Sequence, residues 1–184
     1  SGIFNAYVLP VGGGTPRALT SSTTDSTYAV GFFYNDDRIL FTRDQGGNEQ
    51  NHLYVRELDG AERDLTPGAK LKAAFAGWQP DGKAFYVSTN ERDPKYFDLY
   101  RYDAQTYART LVYQNETGRT VSAISRDGRY LALDKPNTTA DSDVYLYDVQ
   151  TRETKHISRH QGTASYSAED FDPDSKRLLF ATND

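Results

Sequence analysis

Short apolar runs alternate with polar, turn-rich connections along the whole chain, and no stretch carries the 3.6-residue apolar spacing of an amphipathic helix. The clearest unit is Trp78-Gln79-Pro80-Asp81-Gly82 followed by Ala84-Phe85-Tyr86-Val87. It reads as a strand end, a tight turn and a strand start. Pro presets φ at a turn position, Asp bonds back to the turn backbone, and Gly accepts positive φ. Looser copies stand at Phe33-Tyr34-Asn35-Asp36-Asp37 before Ile39-Leu40-Phe41, at Ile124-Ser125-Arg126-Asp127-Gly128 before Tyr130-Leu131-Ala132-Leu133, and at Phe171-Asp172-Pro173-Asp174-Ser175 before Leu178-Leu179-Phe180. Their leading residues Phe33, Trp78, Ile124 and Phe171 are spaced 45, 46 and 47 apart.

Two further markers keep the same period. Tyr7, Tyr54, Tyr100 and Tyr145 sit in a Tyr-rich strand, 47, 46 and 45 apart. The pairs Leu19-Thr20, Leu65-Thr66, Leu111-Val112 and Ile157-Ser158 end a third type of strand at intervals of 46. Four short strands per period of about 46 residues is the signature of a β-propeller blade. An immunoglobulin-like sandwich also has many short strands but would not repeat at this length.

The fold expected is therefore all-β: a propeller of four antiparallel four-stranded repeats. With the strand before the turn motif as a and the one after it as b, the tyrosine strand is c and the Leu-Thr strand d. The chain begins at strand c and ends at strand b. The expected units are 1–20 (c-d), 28–66, 72–112, 120–158 and 165–184 (a-b). Such halves suit either a closed four-blade ring or part of a larger one. In this topology the a-b and c-d turns share one face, while the b-c connections (43–51, 89–97, 134–142) and d-a connections (67–71, 113–119, 159–164) share the other. Longer polar connections on a rigid scaffold are where binding usually resides. That face is the expected interaction surface, with Asn48, Asn51, Tyr96, Phe97, Asn137, Arg159 and His160 as its candidate contacts.

Composition narrows the chemistry. A net charge of −5 without a Lys/Arg run argues against nucleic-acid binding. There are no cysteines, which removes disulfides, thiolate metal sites and cysteine nucleophiles. No apolar run approaches the roughly 20 residues that span a bilayer, and no signal peptide is evident. The absence of any Met reads as a processed chain or an excised portion.

The motifs that could carry chemistry have simpler explanations. His52, His156 and His160 are the only histidines, and their separation along the chain predicts hydrogen-bonded surface roles rather than a metal set or triad. Asp170, Asp172 and Asp174 alternate like the start of a calcium loop, but they fall in a repeat turn and lack the closing Glu. Gly12-Gly13-Gly14 precedes a strand rather than a helix, so it reads as a c-d turn, not a phosphate cradle. Asn115-Glu116-Thr117 and Asn137-Thr138-Thr139 match glycosylation sequons. No cofactor or metal is expected.

The phrases GWQPDGKAFYVSTNERDPKYFDLYRYD and RILFTRDQGGNEQNHLYVRELDGAERDLT resemble the TolB-type propeller repeat and the N-terminal propeller of prolyl-oligopeptidase-family serine peptidases. NTTADSDVYLYD and LFTRDQGGNEQNHLYV lean toward the bacterial acylaminoacyl- and dipeptidyl-peptidase type. The resemblance implies a propeller that acts as a lid, filtering substrate by size for an α/β-hydrolase half with a Gly-x-Ser-x-Gly elbow. No such elbow occurs in this sequence, nor does a Glu-Glu pair of the kind that holds a substrate amine in dipeptidyl peptidases. The sequence therefore predicts no catalytic residue in this chain. It predicts a binding or scaffold module with a protein or peptide partner, in a bacterial envelope complex, the periplasm or the extracellular space. The alternative is the access-gating propeller of a serine peptidase.

Overall fold

The computed structural model describes residues 2–184, and among them every regular element is a β-strand. Three complete meanders form the body. The first contains β3 (Thr27–Phe32), β4 (Ile39–Arg43), β5 (His52–Arg56) and β6 (Glu62–Asp64). The second contains β7 (Ala73–Trp78), β8 (Ala84–Asp93), β9 (Tyr96–Asp103) and β10 (Arg109–Tyr113). The third contains β11 (Thr120–Ile124), β12 (Tyr130–Pro136), β13 (Ser142–Asp148) and β14 (Glu153–His156). Each is a four-stranded antiparallel sheet in chain order. The two-stranded sheets β1 (Tyr7–Val8) with β2 (Arg17–Ala18), and β15 (Tyr166–Phe171) with β16 (Leu178–Thr182), flank them. Of the two expected arrangements, the closed four-blade ring is absent: the terminal hairpins stay separate sheets, and the blades form an open arc.

The core lies between blades rather than within them, because each sheet buries both faces against its neighbours. Leu40, Leu53, Val55 and Leu65 of the first complete blade pack on Leu71, Phe85, Val87 and Tyr102 of the second. Tyr86, Leu99 and Tyr113 of the second meet Leu131, Leu133 and Tyr147 of the third. Ala123, Ala132 and Val144 of the third meet Ala168 and Phe171 of the last hairpin. Trp78 stands at the first of these joints, with its ring edge-to-face on Phe33 at 5.1 Å and on Phe85 at 5.3 Å. Such aromatic pairs add to the area they bury.

Strand register refines the repeat. Phe32 pairs with Ile39, Trp78 with Phe85, Ile124 with Leu131 and Phe171 with Leu178. The residue equivalent to Trp78 is thus Phe32, one place before the Phe33 expected. The turn of the first complete blade caused the slip: its Asx bond runs from Arg38 N–H to Asp36, where the later turns use Asp81 and Asp127. In those later turns Gly82 (φ 68) and Gly128 (φ 72) sit against the preceding blade. A β-carbon would collide with Tyr34 at the first and lie 2.7 Å from the Tyr86 hydroxyl at the second. Glycine is required at both.

Every inner strand carries a β-bulge at the same place, leaving Val30, Ala76, Ser122 and Glu169 as the extra residues. Bulges increase local twist and bend the strand. Repeated once per blade, this one gives the four inner strands a common curvature.

Candidate functional site

On the face of the longer connections, one position at the start of each c strand is a polar anchor. The Asn5 carboxamide oxygen accepts from Ser22 N–H at 2.7 Å and from the Thr20 hydroxyl at 3.0 Å. At the equivalent place in the first complete blade, buried His52 pairs with Asp64 at 2.7 Å. In the second, fully buried Asp98 takes Arg92 Nε at 2.7 Å, Arg92 Nη2 at 2.9 Å and Asn115 N–H at 2.7 Å. In the third, Asp143 accepts from His156 at 2.7 Å and from the Ser158 hydroxyl at 3.0 Å. Carboxylate and imidazole have exchanged places between the first and third blades. The function is common: each anchor ties strand c to strand d or to the connection that follows it, so the loop face rests on charge-assisted bonds.

The third blade extends this anchor into a cluster. Asn137 Nδ2 donates to Asp143 at 2.9 Å and to Asp141 at 3.2 Å. His160 has its Nε2 at 2.9 Å from Asp141 Oδ1, its Nδ1 at 2.9 Å from the Ser158 carbonyl, and its ring stacked on Tyr166 at 5.3 Å. Both ring nitrogens face acceptors, an arrangement that favours the doubly protonated imidazolium. The Ser158 carbonyl and the Asp141 carboxylate raise the His160 pKa above its ordinary value. His160 in turn holds the Asp141 carboxyl low. Burial opposes ionisation of Asp143, but bonds from Asn137, His156 and Ser158 outweigh it and its pKa is lowered. The separation of the histidines along the sequence concealed this convergence of two of them on the carboxylates Asp143 and Asp141. Both nitrogens of His160 and Nε2 of His156 have protein partners, and the described residues hold no group suited to a metal ion.

The other expected contacts divide. Of the seven, the structure brings only Asn137 and His160 into one network. Arg159 is exposed beside it. Asn48 is exposed, and its side chain accepts from Gln50 N–H at 2.9 Å within its own loop. Asn51 lines a crevice of about 310 Å³ with Asp25, Tyr28 and Asp44 on the far side of the arc. Tyr96 and Phe97 are not in a loop. β8 and β9 continue to an Asp93–Tyr96 pair, leaving Pro94 and Lys95 as the turn, with Asp93 Oδ1 accepting Lys95 N–H at 2.9 Å. Both sequons are locked into loop structure. Asn115 is buried, and its Nδ2 donates to the Arg119 carbonyl at 2.6 Å, while Asn137 serves the cluster above.

The bulges frame a second feature. A crevice of about 350 Å³ runs along the inner strands, lined by Ala76, Trp78, Ser122, Arg126, Glu169 and Asp170 among others. Its lining mixes small residues with Tyr34, Trp78 and Tyr86, and the last hairpin contributes adjacent carboxylates. Glu169-Asp170 is a second acidic doublet beside Asp36-Asp37, which sits in a repeat turn, and the absence of a Glu-Glu pair hid it in the sequence. What the geometry defines is a curved blade array with a loop face held by buried ion pairs and a crevice along its inner strands.

Residues 22–184 match the family described as prolyl oligopeptidase, N-terminal beta-propeller domain, and the chain belongs to it. It is 34% identical over 118 residues to dipeptidyl aminopeptidase BIII of Pseudoxanthomonas mexicana, an alignment covering 62% of this chain and 17% of that enzyme. It therefore spans under a fifth of that curated relative. Among solved structures, a prolyl endopeptidase matches with a TM-score of 0.64 at 21% identity, over 92% of this chain and 28% of the other. TolB from Acinetobacter baumannii matches with a TM-score of 0.54 at 18% identity, over 97% and 45%. At those identities the two structures speak for the propeller fold alone.

Proposed function

We propose that this chain is part of the propeller of a prolyl-oligopeptidase-family serine peptidase and restricts which peptides reach a hydrolase domain carried elsewhere in that protein. The observation that carries this reading is the family match over residues 22–184, joined by the 34% identity to a dipeptidyl aminopeptidase. It favours the gating role over the stand-alone scaffold role, for which only distant TolB likeness speaks. The geometry supplies a means. The inner crevice of about 350 Å³ is the passage this reading assigns to a short peptide. The structure also carries signs of a longer array. Leu179 is 66% exposed and Phe180 47%, yet the equivalent positions in complete blades, Leu40 and Phe41 among them, are fully buried. Strands of the same kind would cover them. Work in the bacterial periplasm or outside the cell goes with this reading, which the likeness to TolB and to a bacterial dipeptidyl aminopeptidase supports, and fractionation of the source cell tests it directly. The gating role is tested by a peptide-length series on the native protein. Cleavage of short peptides with sparing of unfolded proteins is expected, and equal rates on both would sink it.

A further inference from the structure

A groove of about 350 Å³ opens on the outer side of the arc, between β10 of the second complete blade and β13–β14 of the third. Its floor is the edge-to-face pair Tyr113 and Tyr147, at 5.0 Å. Both rings are buried, and neither hydroxyl has a protein partner among the hydrogen bonds described. Arg119 and Arg152 line the groove, and neither forms an ion pair within the described residues. Glu116 is the one carboxylate in the lining, and it accepts the Gln114 amide at 2.7 Å.

Arg119 is the unusual member. In register it occupies the place where the two preceding blades bury Thr27 and Ala73. Its guanidinium lies 4.1 Å from the Tyr145 ring centre, and its Nε is buried without a partner. A buried guanidinium donor left unpaired is costly, and an anion in the groove would satisfy it. The adjacent strand is atypical at the same point. Thr20, Thr66 and Ser158, each two residues past the partner of the c-strand tyrosine, turn a hydroxyl to a c-strand N–H at 2.8–2.9 Å, but Tyr113 stands there in β10, where the register shifts at Val112. β10 is also an edge strand, with its outer backbone groups free. Edge strands bind extended peptides through main-chain bonds.

We propose that this groove binds an acidic peptide segment, its carboxylates taken by Arg119 and Arg152 and its backbone laid along β10. Planar guanidinium forks suit carboxylates, and the groove is cationic in a chain whose net charge is −5. The test is calorimetric titration of the native protein, at low ionic strength, with acetyl-Glu-Asp-Glu-amide, its Gln-Asn-Gln analogue and inorganic phosphate. The acidic peptide is expected to bind saturably and at least tenfold more tightly than the neutral one. Arg119→Gln and, independently, the exposed-turn variant Arg152→Gln should each weaken it about tenfold, roughly 1.4 kcal/mol. Because Arg152 is exposed, its variant keeps the test valid should Arg119→Gln disturb packing. Absence of binding, equal affinity for the neutral peptide, or no loss in Arg152→Gln would overturn the proposal. Phosphate binding as tightly as the peptide would overturn the peptide assignment.

Discussion

Leu40 and Leu179 occupy the same place in the repeat, one paired with Gly31 and the other with Asp170, but Leu40 is 0% exposed and Leu179 is 66% exposed. Truncating Leu40 to alanine removes a fully packed side chain and leaves a cavity, at a cost of about 3 kcal/mol within the usual 2–5 range. Leu179 keeps a third of its surface covered in these blades. With about 2 kcal/mol for burying a whole leucine, its truncation costs about 0.7 kcal/mol. If β16 is covered in the native protein by further strands of the same kind, Leu179→Ala rises to the Leu40 value. Native-state hydrogen exchange reads each blade separately, which suits a protein whose global unfolding need not be two-state. Exchange of the β4 amides in Leu40→Ala should accelerate about a hundredfold. The β16 amides in Leu179→Ala should accelerate by a similar factor in the native protein, but only about threefold if the edge is bare. A threefold effect there would refute the longer array.

The His160 cluster predicts a pH window. A pKa raised on folding contributes stability that is complete below the unfolded value of 6.5 and lost as pH rises through the higher folded value. Asp141 and Asp143, held below 3.8, contribute above that value and lose it as pH falls through their lower folded values. The connections 137–141 and 159–164 should therefore be tightest in mild acid and loosen above neutrality. An NMR titration placing His160 at or below 6.5 would contradict the imidazolium assignment. Arg92→Ala should lower the denaturation midpoint more than Asp98→Ala, because it strands the fully buried Asp98 carboxylate without its cation, whereas the one-third-exposed Arg92 left by Asp98→Ala can turn to water. A larger shift in Asp98→Ala would contradict this. Gly82→Ala should destabilise by about 2 kcal/mol, combining positive φ with the collision against Tyr34. Gly118→Ala, with similar φ (69) but open surroundings, should cost about 1 kcal/mol. Denaturant midpoints at constant m separate the two.

The period was legible because turn chemistry and strand markers are local: Pro80-Asp81-Gly82 and Tyr100 announce themselves within a few residues. The slip at Phe33 has the same origin, since an aromatic doublet Phe32-Phe33 offers two candidates and only pairing decides between them. Tyr96 and Phe97 were misplaced because the polar run from Asn90 to Lys95 looks like a loop, whereas Asp93 closes a tight hairpin there. The Asp141, Asp143, His156 and His160 cluster joins residues from two strands and two connections. Nothing in their spacing signals the convergence until β13 and β14 are paired. The anomaly at Arg119 is visible only against its sister positions Thr27 and Ala73, which requires the register to be known.

The central claim, that these blades belong to a serine peptidase, is tested most directly by labelling the native protein with a fluorophosphonate and mapping the modified residue by peptide mass. The account predicts one labelled serine, outside residues 2–184, in a polypeptide well above the 20.7 kDa of this chain. A native protein of that smaller mass that takes no label would contradict it.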